Sequence, residues 1–202
     1  MPTDMVLSGK NIPLVDMTIK LGYNQILLLH PSLEEFYAAT IPHTSLKILH
    51  GLIISEKEKR VLFQTVRTAQ KEGCIPFIEA QSPQFNRFIV EKMQNVVLFN
   101  LEYVHRDDHM HFRRSGLDQV VCRFAAKNNI TLVTSFSKLI SLNPVDQAKV
   151  IGRIQQNITF CQKYKTKYGI FSFAKDAYDL KGAHDMSALM RILGMKKKID
   201  VF

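Results

Sequence analysis

The sequence predicts an α/β fold: a short, irregular TIM-barrel-like (β/α) fold with about seven mostly parallel strands. Three observations carry this expectation. Short apolar, β-branched runs alternate with amphipathic stretches along most of the chain, the pattern of βα units joined by right-handed crossovers. The apolar runs are continuous, as in QILLL at 25–29, which suits strands covered on both faces of a parallel sheet. The chain has 202 residues, fewer than the roughly 250 of a full eight-stranded barrel, so the barrel is a short one. An open doubly wound sheet is the rival arrangement.

Taken in order, Thr3 to Leu7 reads as the first strand. Asn11 and Pro13 start a helix, with proline in the first turn where its missing donor costs little. Leu14, Thr18 and Ile19 face inward until Leu21-Gly22 closes that helix. Gln25 to Leu29 is the second strand, Leu33 to Ala39 a short helix and Leu46 to Ser55 the third strand. Ser55 and Glu58 have capping-box spacing. Val61, Leu62, Thr65, Val66 and Ala69 then form a stripe that Gly73 ends. Cys74 to Ala80 is strand-like, and Ser82-Pro83 opens a helix with Phe85, Phe88, Ile89 and Met93 inward. Val96 to Leu101 is the next strand.

A loop dense in His, Arg and Asp follows, then a helix announced by Ser115 and Asp118. Leu117, Val120, Val121, Phe124 and Ala125 share its apolar stripe, and Asn128-Asn129 ends it. Ile130 to Phe136 reads as a strand. Asn143-Pro144 and Asp146 open a long helix lined by Ile151, Ile154, Ile158 and Cys161, with Lys163, Lys165 and Lys167 towards its negative end. Gly169 to Ala174 is a seventh strand, and Met186, Leu189, Met190 and Leu193 stripe a closing helix. No repeat, linker or low-complexity tract interrupts the pattern, so residues 1–202 read as a single domain.

Composition narrows the function classes. A hydrophobic fraction of 46% permits a sizeable core. Lys and Arg outnumber Asp and Glu 27 to 18, a formal charge of +9 that favours polyanionic partners. Cys74, Cys122 and Cys161 contain no C-x-x-C pair, which argues against a disulfide framework or zinc cluster and for a reducing interior. The start MPTDMVLSGK lacks the regions of a signal peptide, and no apolar run is long enough to span a bilayer. The expectation is a soluble, cytoplasmic protein with no membrane partner.

The same residues bound the chemistry. No G-x-S-x-G elbow, phosphate-binding G-x-x-x-x-G-K-[ST] loop or G-x-G-x-x-G turn is present. His109-x-His111, beside His105, Asp107 and Asp108, offers imidazole and carboxylate ligands of the kind zinc or manganese takes. A two-residue spacing is weak evidence for a metal, and a solvated polar loop is the plainer reading. Loops leaving the strand ends carry Gln81 and Arg87, then His105, Arg106, Arg113 and Arg114, then Lys138, and finally Lys175, Lys181 and His184. Parallel strands put such loops on one side, so this charge is expected to converge. Arg113-Arg114 stands directly before a helix N-terminus, whose backbone N–H groups also favour phosphate. The Lys196-Lys197-Lys198 run reads as a solubilising tail, with added phosphate contacts as the alternative.

The segment FRRSGLDQVVCRFAAKNN at 112–129 resembles the R-x-x-G-[IL]-[DN]-H-V-L-x-[RK]-x-A-x-x-N segment of the ribonuclease P protein component 3 family, the barrel-like subunit of the archaeal and eukaryotic enzymes. Thr134-Ser135-Phe136-Ser137, with Leu139, is similar to that family's F-S-L-x-x-L. Ser172 to Lys175 resembles S-S-G-A, Tyr178 to Lys181 resembles W-D-[LV]-R, and Asp185-Met186 resembles R-D-L, before Leu193-Gly194-Met195. Arg87, within Glu79 to Lys92, falls on a family arginine. Order and spacing hold from about residue 46 to 195.

The resemblance implies an RNA-binding subunit of ribonuclease P that supports the catalytic RNA in removing the 5′ leader of precursor tRNA. It implies no cofactor and no catalytic residue in this chain, with the metal ions on the RNA subunit. The implied partners are ribonuclease P RNA, protein component 2 and other protein subunits, with precursor tRNA met indirectly. The residues expected at RNA are Arg87, Arg106, Arg113, Arg114, Lys138, Lys175, Lys181 and His184. Three positions depart from the family: Gln119 replaces its usual His, and Lys181 and His184 replace arginines. Lys keeps the charge but not the planar fork, which implies a weaker phosphate contact there. Relatives also carry another helix beyond the position of Met195. The alternative is a stand-alone metal-dependent phosphoesterase of a related barrel fold, using His105, Asp107, His109 and His111.

Overall fold

The structure, a computed structural model, describes residues 2–7, 12–39 and 45–196. Seven strands form one sheet in chain order: β1 (Thr3–Leu7), β2 (Gln25–His30), β3 (Lys47–Ile54), β4 (Ile75–Glu79), β5 (Val97–Phe99), β6 (Thr131–Ser135) and β7 (Tyr168–Phe171). The pairs β1–β2, β2–β3, β3–β4 and β5–β6 run parallel, with Met5 opposite Leu27, Leu27 opposite Leu49, Ile53 opposite Phe77 and Leu98 opposite Leu132. Helices occupy the crossovers: α1 (Ile12–Lys20), α2 (Leu33–Ala38), α3 (Lys59–Lys71), α4 (Pro83–Lys92), α5 (Gln119–Lys127), and α6 (Phe136–Ile140) followed by α7 (Pro144–Tyr164). Helix α8 (Ala183–Ile192) follows β7. This is the parallel (β/α) barrel type that the alternating sequence predicts.

The chain forms two compact units, residues 1–78 with 171–187 and residues 79–170 with 188–202. In the first, Met5, Leu27, Leu29 and Phe77 are fully buried. Leu14 and Val15 of α1 close over Val6, Ile26, Leu46, Ala174 and Leu180. The backbone after β7 runs beside β1: Leu7 N–H donates to the Ala174 carbonyl (2.9 Å) and Phe173 N–H to that of Met5 (2.8 Å). The first strand therefore has hydrogen-bonding neighbours on both sides and presents no open edge. In the second unit the core is built from Leu98 and Leu132, Ile89 and Val90 of α4, Val121, Cys122 and Ala125 of α5, and Ile154, Ile158 and Cys161 of α7. All three cysteines are free and buried. Among the described residues no helix is long and apolar enough to cross a membrane.

Several expected boundaries move, each for a local reason. Helix α5 starts at Gln119, not at Ser115; Asp118 is the cap, accepting from the N–H groups of Val120 and Val121 (both 2.7 Å). Gly116 intervenes at φ +80°, a turn in which the chain is not helical, and a Cβ there would collide with the Leu101 carbonyl. The capping box at Ser55 and Glu58 does not form, since Glu58 caps α3 without a side-chain bond. The apolar periodicity points Ile19, Val61 and Ile151 inward, whereas all three face solvent. Each sits one position off the stripe that its helix buries, and one residue is about 100° of helix rotation. Phe124 is only half-buried, and Cys122 takes the deeper place. Strand β5 stops at Phe99 because Asn100 turns the chain at φ +66° into a 3-10 turn, Leu101–Tyr103. Phe136, read as the end of a strand, opens α6 behind the N-cap Ser135. Asn11 and Lys197-Lys198 lie outside the described residues.

Candidate nucleic-acid interface

The basic loop of the second unit begins where the 3-10 turn ends and runs to the cap of α5. Its base is held by Arg153 of α7, a guanidinium on a residue only 2% exposed. Arg153 Nε donates to Asp108 Oδ1 (2.7 Å), and Nη1 donates to the carbonyls of Glu102 (2.9 Å) and His105 (2.6 Å). The same Asp108 oxygen accepts from Arg114 N–H (2.8 Å). Burial alone would raise the Asp108 carboxyl, but the bonds from Arg114 and Arg153 outweigh it and hold the group below its ordinary value. Asp107 pairs with Lys149 of α7 (3.2 Å), which also reaches Asp146 (3.5 Å).

Both loop carboxylates are thus engaged by cations of α7. Arg106, Arg113 and Arg114 are left with no carboxylate at ion-pair distance among the described residues. Arg106 and Arg113 are exposed and Arg114 is half-buried. Gly152 of α7 makes room for Arg113: a Cβ there would sit 2.6 Å from its Nε. Burial, then the nearby charges of Arg114 and Arg153, push the His105 imidazole below its ordinary range, towards the neutral form. Between loop and helix lies a cavity of about 190 Å³ lined by His105, Arg106, Lys149 and Arg153 together with Asp146, Tyr103 and apolar Leu142 and Val150.

Beneath the loop stands Glu102, fully buried. Its Oε1 accepts from Thr134 Oγ1 (2.8 Å), Tyr168 Oη (2.8 Å) and Asn157 Nδ2 (2.9 Å). Burial pushes its carboxyl up, and these donors act against that rise. The carboxylate ties the 3-10 turn to β6, β7 and α7, while Asn157 also donates to the Ser115 carbonyl (3.1 Å). Neither Arg153 nor Glu102 stands out in the sequence as a functional residue. The available signal was Arg153 and Asn157 falling among Val150, Ile154, Ile158 and Cys161 on the buried stripe of α7.

The other expected residues are distributed as follows. Lys138, on α6, pairs with Glu79 (2.8 Å) and stands 4.9 Å over the ring of Tyr103. Arg87 lies on α4 rather than in a strand-end loop, paired with Glu91 one turn on and over the Phe124 ring. In the first unit Lys175 is exposed, Lys181 is half-buried with its carbonyl accepting from Tyr23 Oη (2.9 Å), and His184 stands 3.8 Å from Asp185. The loop before α8 is shaped by Asp176, whose Oδ1 takes the N–H groups of Tyr178 (2.9 Å) and Asp179 (3.1 Å). The structure therefore brings Arg106, Arg113 and Arg114 onto one anchored loop, with Lys138 and Arg87 engaged elsewhere in that unit. The His109 ring meets that of Phe112, and among the described residues no group of three or more His, Cys, Asp or Glu side chains is placed to hold a metal ion.

Comparison with known proteins gives a consistent result. The chain is 27% identical over 146 residues to ribonuclease P protein component 3 of Methanococcus vannielii, covering 72% of this chain and 60% of that protein. It is 21% identical over 192 residues to the protein of the same name from Methanosarcina barkeri, covering 95% and 72%. The matches to the component 3 proteins of Methanococcus vannielii and Methanocaldococcus jannaschii span only 60% and 61% of those relatives' lengths. The fold matches a chain in the cryo-EM structure of archaeal ribonuclease P with mature tRNA, with a TM-score of 0.78 at 19% identity over 95% of this chain and 82% of that one. The family model for RNase P subunit p30 matches residues 13–199, and the chain belongs to that family.

Proposed function

We propose that this chain is an RNA-binding protein subunit of ribonuclease P, one that supports the RNA component in removing the 5′ leader from precursor tRNA. The observation that carries the reading is the loop of Arg106, Arg113 and Arg114, whose own carboxylates are engaged by Lys149 and Arg153. Unpaired arginines on a braced loop meet phosphates without first breaking an ion pair, and Arg suits phosphate through its planar fork. Lys175, Lys181 and His184 are a second, weaker group, and Lys138 and Arg87 contribute only if they leave Glu79 and Glu91. Catalysis belongs to the RNA and its metal ions; the chain needs no cofactor of its own. Its partners are ribonuclease P RNA, protein component 2 and the other protein subunits, with precursor tRNA met through the assembly in the cytoplasm.

The test is reconstitution. The isolated chain should not cleave precursor tRNA at any divalent-ion concentration. Added to the RNA component and the remaining protein subunits, it should raise leader removal at low magnesium, and the Arg113→Ala, Arg114→Ala double variant should raise it less. Cleavage by the RNA-free protein, abolished by His109→Ala, would instead establish the metal-dependent phosphoesterase.

A further inference from the structure

Two exposed large apolar side chains stand at the tip of the arginine loop. Met110 is 92% exposed and Phe112 62% exposed. The tip is pinched by His109 N–H donating to the Phe112 carbonyl (3.0 Å). This bond brings the two rings together, centroids 4.5 Å apart and planes inclined by 34°. A tilted pair of rings thus stands in solvent, on a turn whose base Arg153 and Asp108 brace. Arg106 precedes the tip and Arg113-Arg114 follow it.

We infer that this tip is a stacking platform for an unpaired nucleotide of RNA, with His109 and Phe112 supporting the base and the flanking arginines meeting its phosphates. The inference rests on the RNA-binding reading proposed above. Aromatic rings receive bases only where these are unstacked, in single-stranded loops, bulges and ends, because a duplex keeps its base faces occupied. The neighbouring charge decides between a base and a hydrophobic protein pocket. The apolar tip is bracketed by cations with no ion-paired carboxylate, so its complement is an apolar face on a polyanionic backbone. A prebuilt ring pair also loses little side-chain freedom on binding, since Phe has only two side-chain torsions and the turn already fixes the backbone.

The experiment uses the full chain with two RNA probes of equal length, oligoadenylate and a blunt-ended duplex. Phe112→Leu keeps apolar bulk and removes the π face; Phe112→Tyr keeps the face. The chain contains no tryptophan, so Phe112→Trp provides a single fluorescent reporter at the platform itself. Phe112→Leu should bind oligoadenylate about fivefold to a hundredfold more weakly, which corresponds to the roughly 1–3 kcal/mol of one base–aromatic stack. Its dependence of log affinity on log salt should stay unchanged, because the arginines that neutralise the phosphates are all retained. Phe112→Tyr should bind like the parent, duplex affinity should be the same for all variants, and Phe112→Trp fluorescence should be quenched by oligoadenylate and not by the duplex.

If the parent binds oligoadenylate with strong salt dependence but Phe112→Leu binds equally well and the Trp reporter is silent, the platform is overturned while the RNA-binding reading stands. If the parent binds neither RNA, both fall. If Phe112→Leu leaves RNA binding unchanged and Phe112→Asp abolishes association with another protein subunit, the tip is a protein anchor and the inference is wrong.

Discussion

Asp4 is a carboxyl placed where folding disfavours its charge. It is 1% exposed on β1, and its Oδ1 accepts from the N–H groups of Met5 (2.9 Å) and Ser172 (2.8 Å). Burial outweighs these bonds and raises its pKa from 3.8 to about 6. The folded chain therefore holds this proton more tightly than the unfolded chain does. The resulting stability is fully present below pH 3.8 and is lost as pH rises through about 6. Two pKa units correspond to about 3 kcal/mol. Asp4→Asn keeps an acceptor for both N–H groups and cannot ionise. It should exceed the parent in stability at pH 7.5 by up to about 3 kcal/mol, and the gap should close by about pH 4, as read from urea midpoints across a pH series. A gap that widens on acidification would contradict the assignment.

Arg153 is the residue-scale counterpart in the other unit. Arg153→Met retains the aliphatic stem but strands Asp108 and two backbone carbonyls. It should cost about 3–5 kcal/mol in denaturant unfolding, as for a buried pair that loses one partner. A loss below about 1 kcal/mol would make the bridge a mere surface pair. Neither role was legible in the sequence, because a charge on an apolar stripe reads as an interruption of the stripe. Only its three acceptors, supplied by residues about 45–50 positions earlier in the chain, turn it into an anchor.

At the scale of elements, α7 shows what the pattern carries. Ile154 and Ile158 are fully buried, while Ile151 is 37% exposed. Ile154→Ala should cost about 2–5 kcal/mol and Ile151→Ala no more than about 0.5 kcal/mol, by thermal or urea unfolding. Equal losses would mean that the helix is rotated. The strands were legible to within one to three residues because covered parallel strands are continuous apolar runs with turn residues at their ends. Helix phase and helix starts were less so. Ser115 and Asp118 are both capable caps, and the choice falls to Asp118 because the chain must turn at Gly116 to clear the Leu101 carbonyl. That carbonyl lies 15 positions back in the sequence and is invisible to any local reading. Ser135 and Phe136 failed to announce α6 for a related reason: a helix of five residues has too few positions to show a period.

At the scale of the whole molecule, the strand order follows the chain order, so the alternation of apolar runs with amphipathic helices was sufficient to give the fold class. The candidate site was legible as a set of cations but not as a selection among them. Arg87 and Lys138 carry the same charge as Arg113, yet each already has a carboxylate and a ring as neighbours. What distinguishes the loop arginines is that its two aspartates turn towards α7, which leaves Arg106, Arg113 and Arg114 with no carboxylate at ion-pair distance among the described residues. The central claim, that this loop holds RNA through its phosphates, is tested most directly by RNA affinity measured across a salt series. Arg113→Ala with Arg114→Ala should lower the slope of log affinity against log salt by about 0.7–0.9 for each phosphate no longer neutralised and weaken binding most at low salt. The control is Lys92→Ala with Lys127→Ala, exposed lysines in the last turns of α4 and α5, with Lys127 about 13 Å along its helix from the loop; it should leave the slope nearly unchanged. Equal losses in the two doubles would show that the charge acts diffusely and that the loop is not the RNA site.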